Sequence, residues 1–254
     1  IESCGKKSTV PGGSPHTKNF VQSVTYERSQ FSGGSGVPYT YIDPETGVEE
    51  NRTMGLRLRS ESNIYGQSTF FGATGDVLLQ AQRDIRNYGA QQLVLTYYHK
   101  DEGKTRTERE YRWDTEFFPG SIASTHGKVL IDSMGGTFQQ YAGSIESAQG
   151  IDLYAPQGIE TPALKGFKGT LFDHEFDGFW QNLTTPFHGS TGTRNKVIAE
   201  TISEIHYSGP VRHVSKAGDI IMPGLVLKAP KSTVTFTGRK VVFDRPLLEK
   251  SKTS

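Results

Sequence analysis

The stretch QQLVLTYYHKDEGKTRTEREYRW (residues 91–113) predicts two β-strands joined by a turn. Its first run, 91–99, is rich in β-branched and aromatic residues, and the charged, glycine-containing segment 100–104 follows it. The return run carries a charge at every second position, at Arg106, Glu108, Glu110 and Arg112. A face with alternating charges keeps an exposed strand in solution and discourages edge pairing. We therefore interpret 91–113 as a surface β-hairpin.

A second hairpin is predicted over residues 37–59. The segment Asp43-Pro44-Glu45-Thr46-Gly47 holds a proline that presets φ and a glycine suited to positive φ, which are turn signals. On the return strand, Met54, Leu56 and Leu58 alternate with polar or small residues, so one face is buried. Further short runs separated by Gly and Pro continue to the C-terminus. The pattern predicts an all-β fold, an antiparallel sandwich, jelly roll or barrel.

Two segments are predicted as short helices within this β-rich chain. In 76–89, Asp76 suits an N-cap and Gly89 suits a stop, and the residues between them form one stripe of Leu78, Ala81, Ile85 and Tyr88. The segment 195–207 has a similar stripe, but its β-branched residues make a strand a close alternative.

The chain is predicted to hold one large β-rich domain at 20–254, with a candidate subdivision near 115–125. Residues 1–19 are predicted to be a flexible arm because they are rich in Lys, Ser, Gly and Pro. Within that arm, Ile1-Glu2-Ser3-Cys4 resembles the lipid-attachment box of bacterial lipoproteins, although Glu2 departs from the pattern. Cys4 is the single cysteine, so an internal disulfide is excluded.

The charge balance of the chain and the lengths of its apolar runs argue against two classes of protein. Lys and Arg number 28 against 27 Asp and Glu, a balance that argues against a general nucleic-acid binder. No apolar run approaches the roughly 20 residues of a transmembrane helix, so a soluble chain without a transmembrane segment is expected. We interpret the protein as secreted or located at the cell surface.

The clearest candidate for chemistry is the stretch FDHEFDGFW (172–180). On a strand, Asp173, Glu175 and Asp177 share one face, with neighbouring carboxylates about 6.5–7 Å apart. This spacing suits paired acids in glycoside hydrolysis, and clustered carboxylates also suit calcium. The stretch resembles the alternating-acid strand of laminarinase-type glycoside hydrolases, which carry Glu, Asp and Glu on a jelly-roll strand. The resemblance implies catalytic carboxylates here, although the outer residues are Asp.

Aromatic residues cluster around the same stretch and predict a sugar site. Trp180 would stack on a sugar ring, with Asp173, Glu175, Asp177 and Asn182 taking the hydroxyl groups. The alternative interpretation of the aromatics is a hydrophobic core. The seven histidines show no helical i, i+4 pair and no Cys–His framework for zinc, so no metal site is predicted from them.

The sequence leaves three hypotheses about function. The first is a non-catalytic carbohydrate-binding protein, with calcium as a candidate cofactor. The second is a jelly-roll enzyme that cleaves glycans with the clustered carboxylates, so enzymatic activity stays open. The third is a self-assembling or pore-forming surface protein, because Lys228–Gly238 resembles the strand entries of aerolysin-like pore-forming toxins.

Overall fold

Every element in the described part of this computed structural model is a β-strand. The structure describes residues 6–12, 17–25, 29–101, 106–176, 191–203, 205–228, 233–244 and 250–253. In chain order the strands are β1 (Lys6–Gly12), β2 (Thr17–Thr25), β3 (Gln30–Gly33), β4 (Val37–Ile42), β5 (Glu49–Ser60), β6 (Ile64–Gln67), β7 (Phe70–Ala73), β8 (Asp76–Ala81), β9 (Ile85–Tyr88), β10 (Ala90–Asp101), β11 (Arg106–Phe118), β12 (Ser121–Ser124), β13 (Lys128–Ser133), β14 (Thr137–Gln140), β15 (Gly143–Ser147), β16 (Gly150–Tyr154), β17 (Gly158–Glu160), β18 (Leu164–Phe176), β19 (Thr191–Ser203), β20 (Ile205–Ser208), β21 (Val211–Val214), β22 (Ile220–Ile221), β23 (Leu225–Lys228), β24 (Val234–Thr237), β25 (Val241–Val242) and β26 (Lys250–Thr253).

Most of these strands build a three-sided parallel β-helix. Each coil supplies one strand to each of three sheets, and the described residues form six coils. Sheet 1 stacks β3, β7, β12, β15, β20 and β23; sheet 2 stacks β5, β8, β13, β16, β21 and β24; sheet 3 stacks β6, β9, β14, β17, β22 and β25. Uninterrupted coils are roughly 20–22 residues long, as the starts of β12 and β15 and of β20 and β23 show.

The predicted antiparallel sandwich, jelly roll or barrel is therefore wrong. The strands of sheets 1 and 3 pair in parallel, and in sheet 2 only β4 pairs antiparallel, with β5. Residue alternation reveals that a strand has a buried face, but it does not reveal the direction of the neighbouring strand. The predicted β-rich character is confirmed for the described residues, as are the two hairpins, in which β4–β5 and β10–β11 pair as antiparallel ladders.

Both predicted helices are wrong as well. Residues 76–89 form β8 and β9, and 195–207 lie in β19 and β20, apart from residue 204, which is outside the described residues. In β8, the side chains of Val77, Leu79 and Ala81 point into the interior of the β-helix, with the period of two that defines a strand. Leu78 is buried on the opposite face, under the β4–β5 hairpin. Because both faces of β8 carry apolar residues, their spacing in the sequence resembles the apolar stripe of a helix.

The interior is built from columns of apolar side chains that run through all six coils. Neighbours in each column are partners in the sheet register, so each residue packs on the equivalent residue of the next coil. The sheet 1 column is Phe31, Phe71, Ile122, Ile145, Tyr207 and Leu227. The sheet 2 column is Leu58, Leu79, Ile131, Leu153, His213 and Phe236. The sheet 3 column is Ile64, Ile85, Phe138, Ile159 and Ile220, and it ends in the last coil at Val241, which is exposed.

Buried hydroxyl groups fix the corner between sheets 1 and 2. Ser124 Oγ donates to the carbonyl of Gly75, one coil below, and accepts from the amide of Gly127, both at 2.8 Å. One coil further on, Ser147 repeats both contacts with Gly127 and Gly150, again at 2.8 Å. These bonds satisfy buried backbone groups where the chain turns and the sheet ladders are interrupted.

Long hairpins leave the β-helix at the corner between sheet 3 and sheet 1. The β10–β11 hairpin follows the second coil, β18–β19 follows the fourth, and together with β1, β2 and β26 they form a seven-stranded antiparallel sheet. Two coils rise about 9.5 Å, which is also the width that a two-stranded hairpin occupies in a sheet. Successive hairpins therefore meet in register and pair, β2 with β10 and β11 with β18. The predicted boundary between an arm at 1–19 and a domain at 20–254 stays a prediction.

A search of the described residues finds no helix with the length and apolar character that a bilayer crossing requires.

Candidate functional site

The predicted sugar site falls largely outside the described residues. Asp173 and Glu175 lie in β18, a strand as predicted, where they pair in register with Arg109 and Thr107 of β11. Asp177, Trp180 and Asn182 lie outside the described residues, as do the side-chain contacts of the other two acids. The structure therefore neither brings these five residues together nor separates them, and their roles as a sugar, calcium or catalytic site stay predictions.

A different set of exposed aromatic and polar side chains lies on the outward side of sheet 3. We call this surface the tyrosine face; its residues are Tyr65, Arg86, Tyr88, Gln139, Tyr141 and Glu160. They project outward because their neighbours along each strand, such as Ile64, Ile85 and Phe138, enter the core. Tyr65 is 53% exposed, and the other five are partly exposed.

The tyrosine face is arranged in two rows along the axis of the β-helix. The first row places Tyr65, Arg86, Gln139 and Glu160 on four successive coils. The second row places Tyr88 beside Tyr141, and their ring centroids are 5.0 Å apart. Neighbours within a row are about 4.8 Å apart and the rows are about 7 Å apart, as the geometry of parallel strands requires. The result is a flat surface about three coils long with aromatic rings at both edges.

Arg86 holds the middle of the tyrosine face in one conformation. Its Nη2 atom donates to Asp84 Oδ2 at 2.8 Å, its Nη1 atom donates to the Tyr88 hydroxyl at 3.3 Å, and its guanidinium carbon lies 5.6 Å from the Tyr65 ring centroid. The hydrogen bond to Tyr88, followed by the charge of Asp84, raises the pKa of Arg86 further above its ordinary value. A planar cation within cation–π distance of one ring and bonded to the hydroxyl of another favours one arrangement of the two side chains.

Asp84 anchors this arrangement to the coil above. Its Oδ1 atom accepts from both the amide and the hydroxyl of Thr137, at 2.9 and 3.0 Å. Partial burial raises the pKa of Asp84, but the Thr137 bonds and the charge of Arg86 outweigh it and hold the pKa below its usual range. On the next coils, the Gln139 amide donates to Glu160 Oε2 at 2.8 Å.

A groove of about 510 Å³ lies on the outward side of sheet 1. Its polar lining consists of Ser121, Ser144, Glu146, His206, Ser208 and Lys228. Ser144 and His206 are partners in the register of β15 and β20, but no hydrogen bond joins their side chains. This groove offers hydroxyl, carboxylate and ammonium groups and no exposed aromatic ring.

Metal-binding geometry is not found in the described part of the chain. No group of three or more His, Cys, Asp or Glu side chains there is close enough to hold an ion. Calcium therefore stays a prediction attached to the acids near residue 175.

Sequence reasoning missed the tyrosine face because its members are spread over residues 65–160. Tyr65, Arg86 and Gln139 each follow an apolar residue that enters the core, but nothing in their spacing shows that they share a surface until the coils are aligned. The signal that aligns coils is the recurrence of a serine three residues before a glycine, at 124–127 and 147–150, ahead of an apolar strand.

The comparisons with known proteins give no match: no protein-family model, curated protein or solved structure is similar to this chain.

Proposed function

We propose that this chain binds carbohydrate on the tyrosine face without transforming it, as part of a secreted or cell-surface protein. The observation that carries the proposal is the pair of rows in which the exposed Tyr65 and the partly exposed Tyr88 and Tyr141 surround Arg86 and Gln139. Sugar rings present apolar C–H faces that pack on aromatic rings, and amide and guanidinium groups bond their hydroxyls. The flat, extended shape suits a chain of several sugar units better than a single small molecule.

Preorganisation supports the same proposal. A ligand that orders loose side chains loses part of its binding free energy to their entropy, and Arg86 removes most of that cost in advance. The coils beneath are packed by fully buried residues such as Ile85 and Phe138, so the surface has a rigid support.

Replacing Tyr65 by Ala tests the proposal. Tyr65 is exposed and lies outside the core, so its loss should leave folding intact while removing one stacking surface and the partner of Arg86. We expect binding to a polysaccharide that the wild-type protein binds to weaken at least tenfold, about 1.4 kcal/mol, by isothermal titration calorimetry.

Phe243→Ala is the matched control. Phe243 is also 53% exposed but follows β25 on the sixth coil, two coils beyond the tyrosine face, where its ring packs against Phe236. The Phe243→Ala variant should bind the same polysaccharide with the affinity of the wild type. Equal affinity of the Tyr65→Ala variant and the wild type would place the sugar site elsewhere, with the predicted residues around Trp180 as the next candidates.

Two other hypotheses stay predictions: that the protein is an enzyme that cleaves glycans, and that it is a self-assembling or pore-forming surface protein. The first depends on acids whose side chains lie outside the described residues, and the second on Lys228–Gly238, of which the structure describes only 228 and 233–238.

A further inference from the structure

The hairpin formed by β4 and the first half of β5 lies over the outward side of sheet 2. We call residues 37–54 the brace. Three residues of the brace, at alternate positions, contact successively higher coils. Tyr39 donates to Asp76 Oδ2 at 3.2 Å on the second coil, and Tyr41 donates to Asp132 Oδ1 at 2.9 Å on the third. Asp43 accepts from Arg212 Nη1 at 2.7 Å on the fifth coil.

Both ends of the brace join the first coil: residues 34–36 connect it to β3, and β5 continues beyond Met54 into sheet 2. The second half of β5 pairs with β8 within sheet 2, and the register shifts between Met54 and Leu56, where the brace departs. A bulge bends a strand and gives the departing segment its own direction. Movement of the brace about this point leaves the coils paired and breaks the contacts of the brace with sheet 2, among them the bonds of Arg52 to Asp76 at 2.6 and 3.0 Å.

Under the brace, Asp132 is a carboxyl group with too few partners. It is 1% exposed and lies beside the small apolar cluster of Tyr41, Met54, Leu78 and Leu130. Oδ1 accepts the Tyr41 bond, whereas Oδ2 has no hydrogen-bond partner in the described part of the protein. An ionised carboxylate needs several donors or a cation to offset its loss of hydration.

The groups around Asp132 do not supply that compensation. The ionisable groups that face it are Tyr41 and Asp43 from the brace, Asp152 and Tyr154 from β16, Arg212 from β21 and Lys128 from its own strand. Arg212 is bonded to Asp43 and Glu45, and Lys128 to Asp152 at 3.0 Å. The neighbouring strand β8 contributes Gln80, which carries no charge.

We propose that the brace is a pH-sensitive cover, which closes on sheet 2 while Asp132 is neutral and opens about the bulge at Met54 when Asp132 ionises. Opening admits water to the carboxylate and exposes Leu78 and Leu130 on sheet 2. Burial, the largest influence, raises the pKa of Asp132 to about 7, and the bond from Tyr41 opposes this rise. The proposal does not depend on carbohydrate binding, because the brace and the tyrosine face belong to different sheets.

The equilibrium between closed and open brace should depend on pH in a defined direction. A hydrated Asp132 in the open state has the ordinary pKa of about 3.9, so the open state loses its proton first as pH rises. From pH 6 to pH 8 this linkage lowers the equilibrium ratio of closed to open brace about tenfold.

Hydrogen–deuterium exchange of the whole chain measures this change. The amides of Asp43 and Gly47 bond within the brace, and a two-stranded hairpin released from the sheet beneath it is only marginally stable in water, so their protection factors should fall about tenfold from pH 6 to pH 8. Amides of β13 and β16 should keep the same protection factor at both values. In Asp132→Asn the brace should be protected equally at both values, whereas Asp219→Asn, a matched change away from the brace, should behave like the wild type.

Equal protection of the wild-type brace at pH 6 and pH 8 would overturn the proposal, as would an unchanged pH dependence in Asp132→Asn. Tyr41→Phe gives an independent test if the Asn variant does not fold. The Tyr41 hydroxyl stabilises the ionised carboxylate, so its removal should move the loss of protection to higher pH. A midpoint that stays in place would contradict the assigned role of Asp132.

Discussion

His213 interrupts an otherwise apolar column of the core, and its replacement by Leu should remove an acid sensitivity of the fold. The residue is fully buried between Leu153 and Phe236 of the adjacent coils. Its ring packs edge-on against Tyr207 and Phe236, with centroid distances of 5.3 Å to each. Neither ring nitrogen has a hydrogen-bond partner of normal geometry among the described residues. Leu keeps an apolar side chain of similar size in the column.

The magnitude follows from the titration of the buried ring. Burial disfavours the imidazolium and lowers the pKa of His213 from 6.5 to about 4. Between these values the unfolded chain binds a proton that the folded chain does not, so the free energy of unfolding falls as the pH falls. From pH 7.5 to pH 5 this loss is about 2 kcal/mol. Asp132, whose pKa is raised, acts in the opposite direction over the same interval, so the comparison must be made between variants.

Urea denaturation of the wild type and His213→Leu at pH 7.5 and pH 5 gives the measurement. The unfolding free energy of the Leu variant minus that of the wild type should increase by about 2 kcal/mol when the pH is lowered from 7.5 to 5. His206→Leu is the control, because its ring is exposed, and it should keep the pH dependence of the wild type. A difference that does not change with pH would refute the assignment of a buried, neutral His213.

Two further substitutions test the packing of the β-helix by urea denaturation at neutral pH. Ser147→Ala removes the side-chain partner of the Gly150 amide at a buried corner and leaves the Gly127 carbonyl with the Gln149 amide alone, which should cost about 1–3 kcal/mol, whereas Ser144→Ala in the open groove should change stability by less than about 0.5 kcal/mol. Leu79→Ala opens a cavity in the sheet 2 column and should cost about 2–5 kcal/mol; a cost as small as that of Leu93→Ala, at an exposed position, would argue against the column.

Local signals in the sequence predicted the strands and the hairpins. The turn at 43–47 is a case in which residue chemistry suffices: Asp43 Oδ1 accepts from the amides of Glu45 and Thr46 at 2.8 and 3.1 Å, and Gly47 has φ of 72°. The described residues of the predicted return strand, 106–113, likewise lie in a hairpin strand, β11, but the expectation that their charges discourage edge pairing is wrong, because β11 also pairs with β18.

The parallel β-helix was not predictable from those signals because its repeat is interrupted. Hairpins of some 30 to 40 residues separate the second coil from the third and the fourth from the fifth, so equivalent positions do not recur at a constant interval. In addition, the brace buries both faces of β8 and β13, where Leu78 and Leu130 lie opposite the core. Such strands lose the simple alternation of one buried face.

The candidate site was missed for a related reason. The aromatic residues near Trp180 are adjacent in sequence and drew attention to that stretch, whereas Tyr65 and Tyr141 become neighbours on one surface only after three coils are stacked. A surface assembled from single residues of several coils leaves no local motif.

The most direct test of the central claim is binding of the purified chain and its Tyr65→Ala variant to a broad array of glycans, with and without calcium. The account predicts selective binding by the wild type, loss of that signal in the variant, and no effect of calcium, because the tyrosine face holds no cluster of metal ligands. Binding that requires calcium and survives the substitution would contradict it and would favour the acids around residue 175. An array without any signal from the wild-type protein would contradict carbohydrate binding as the function.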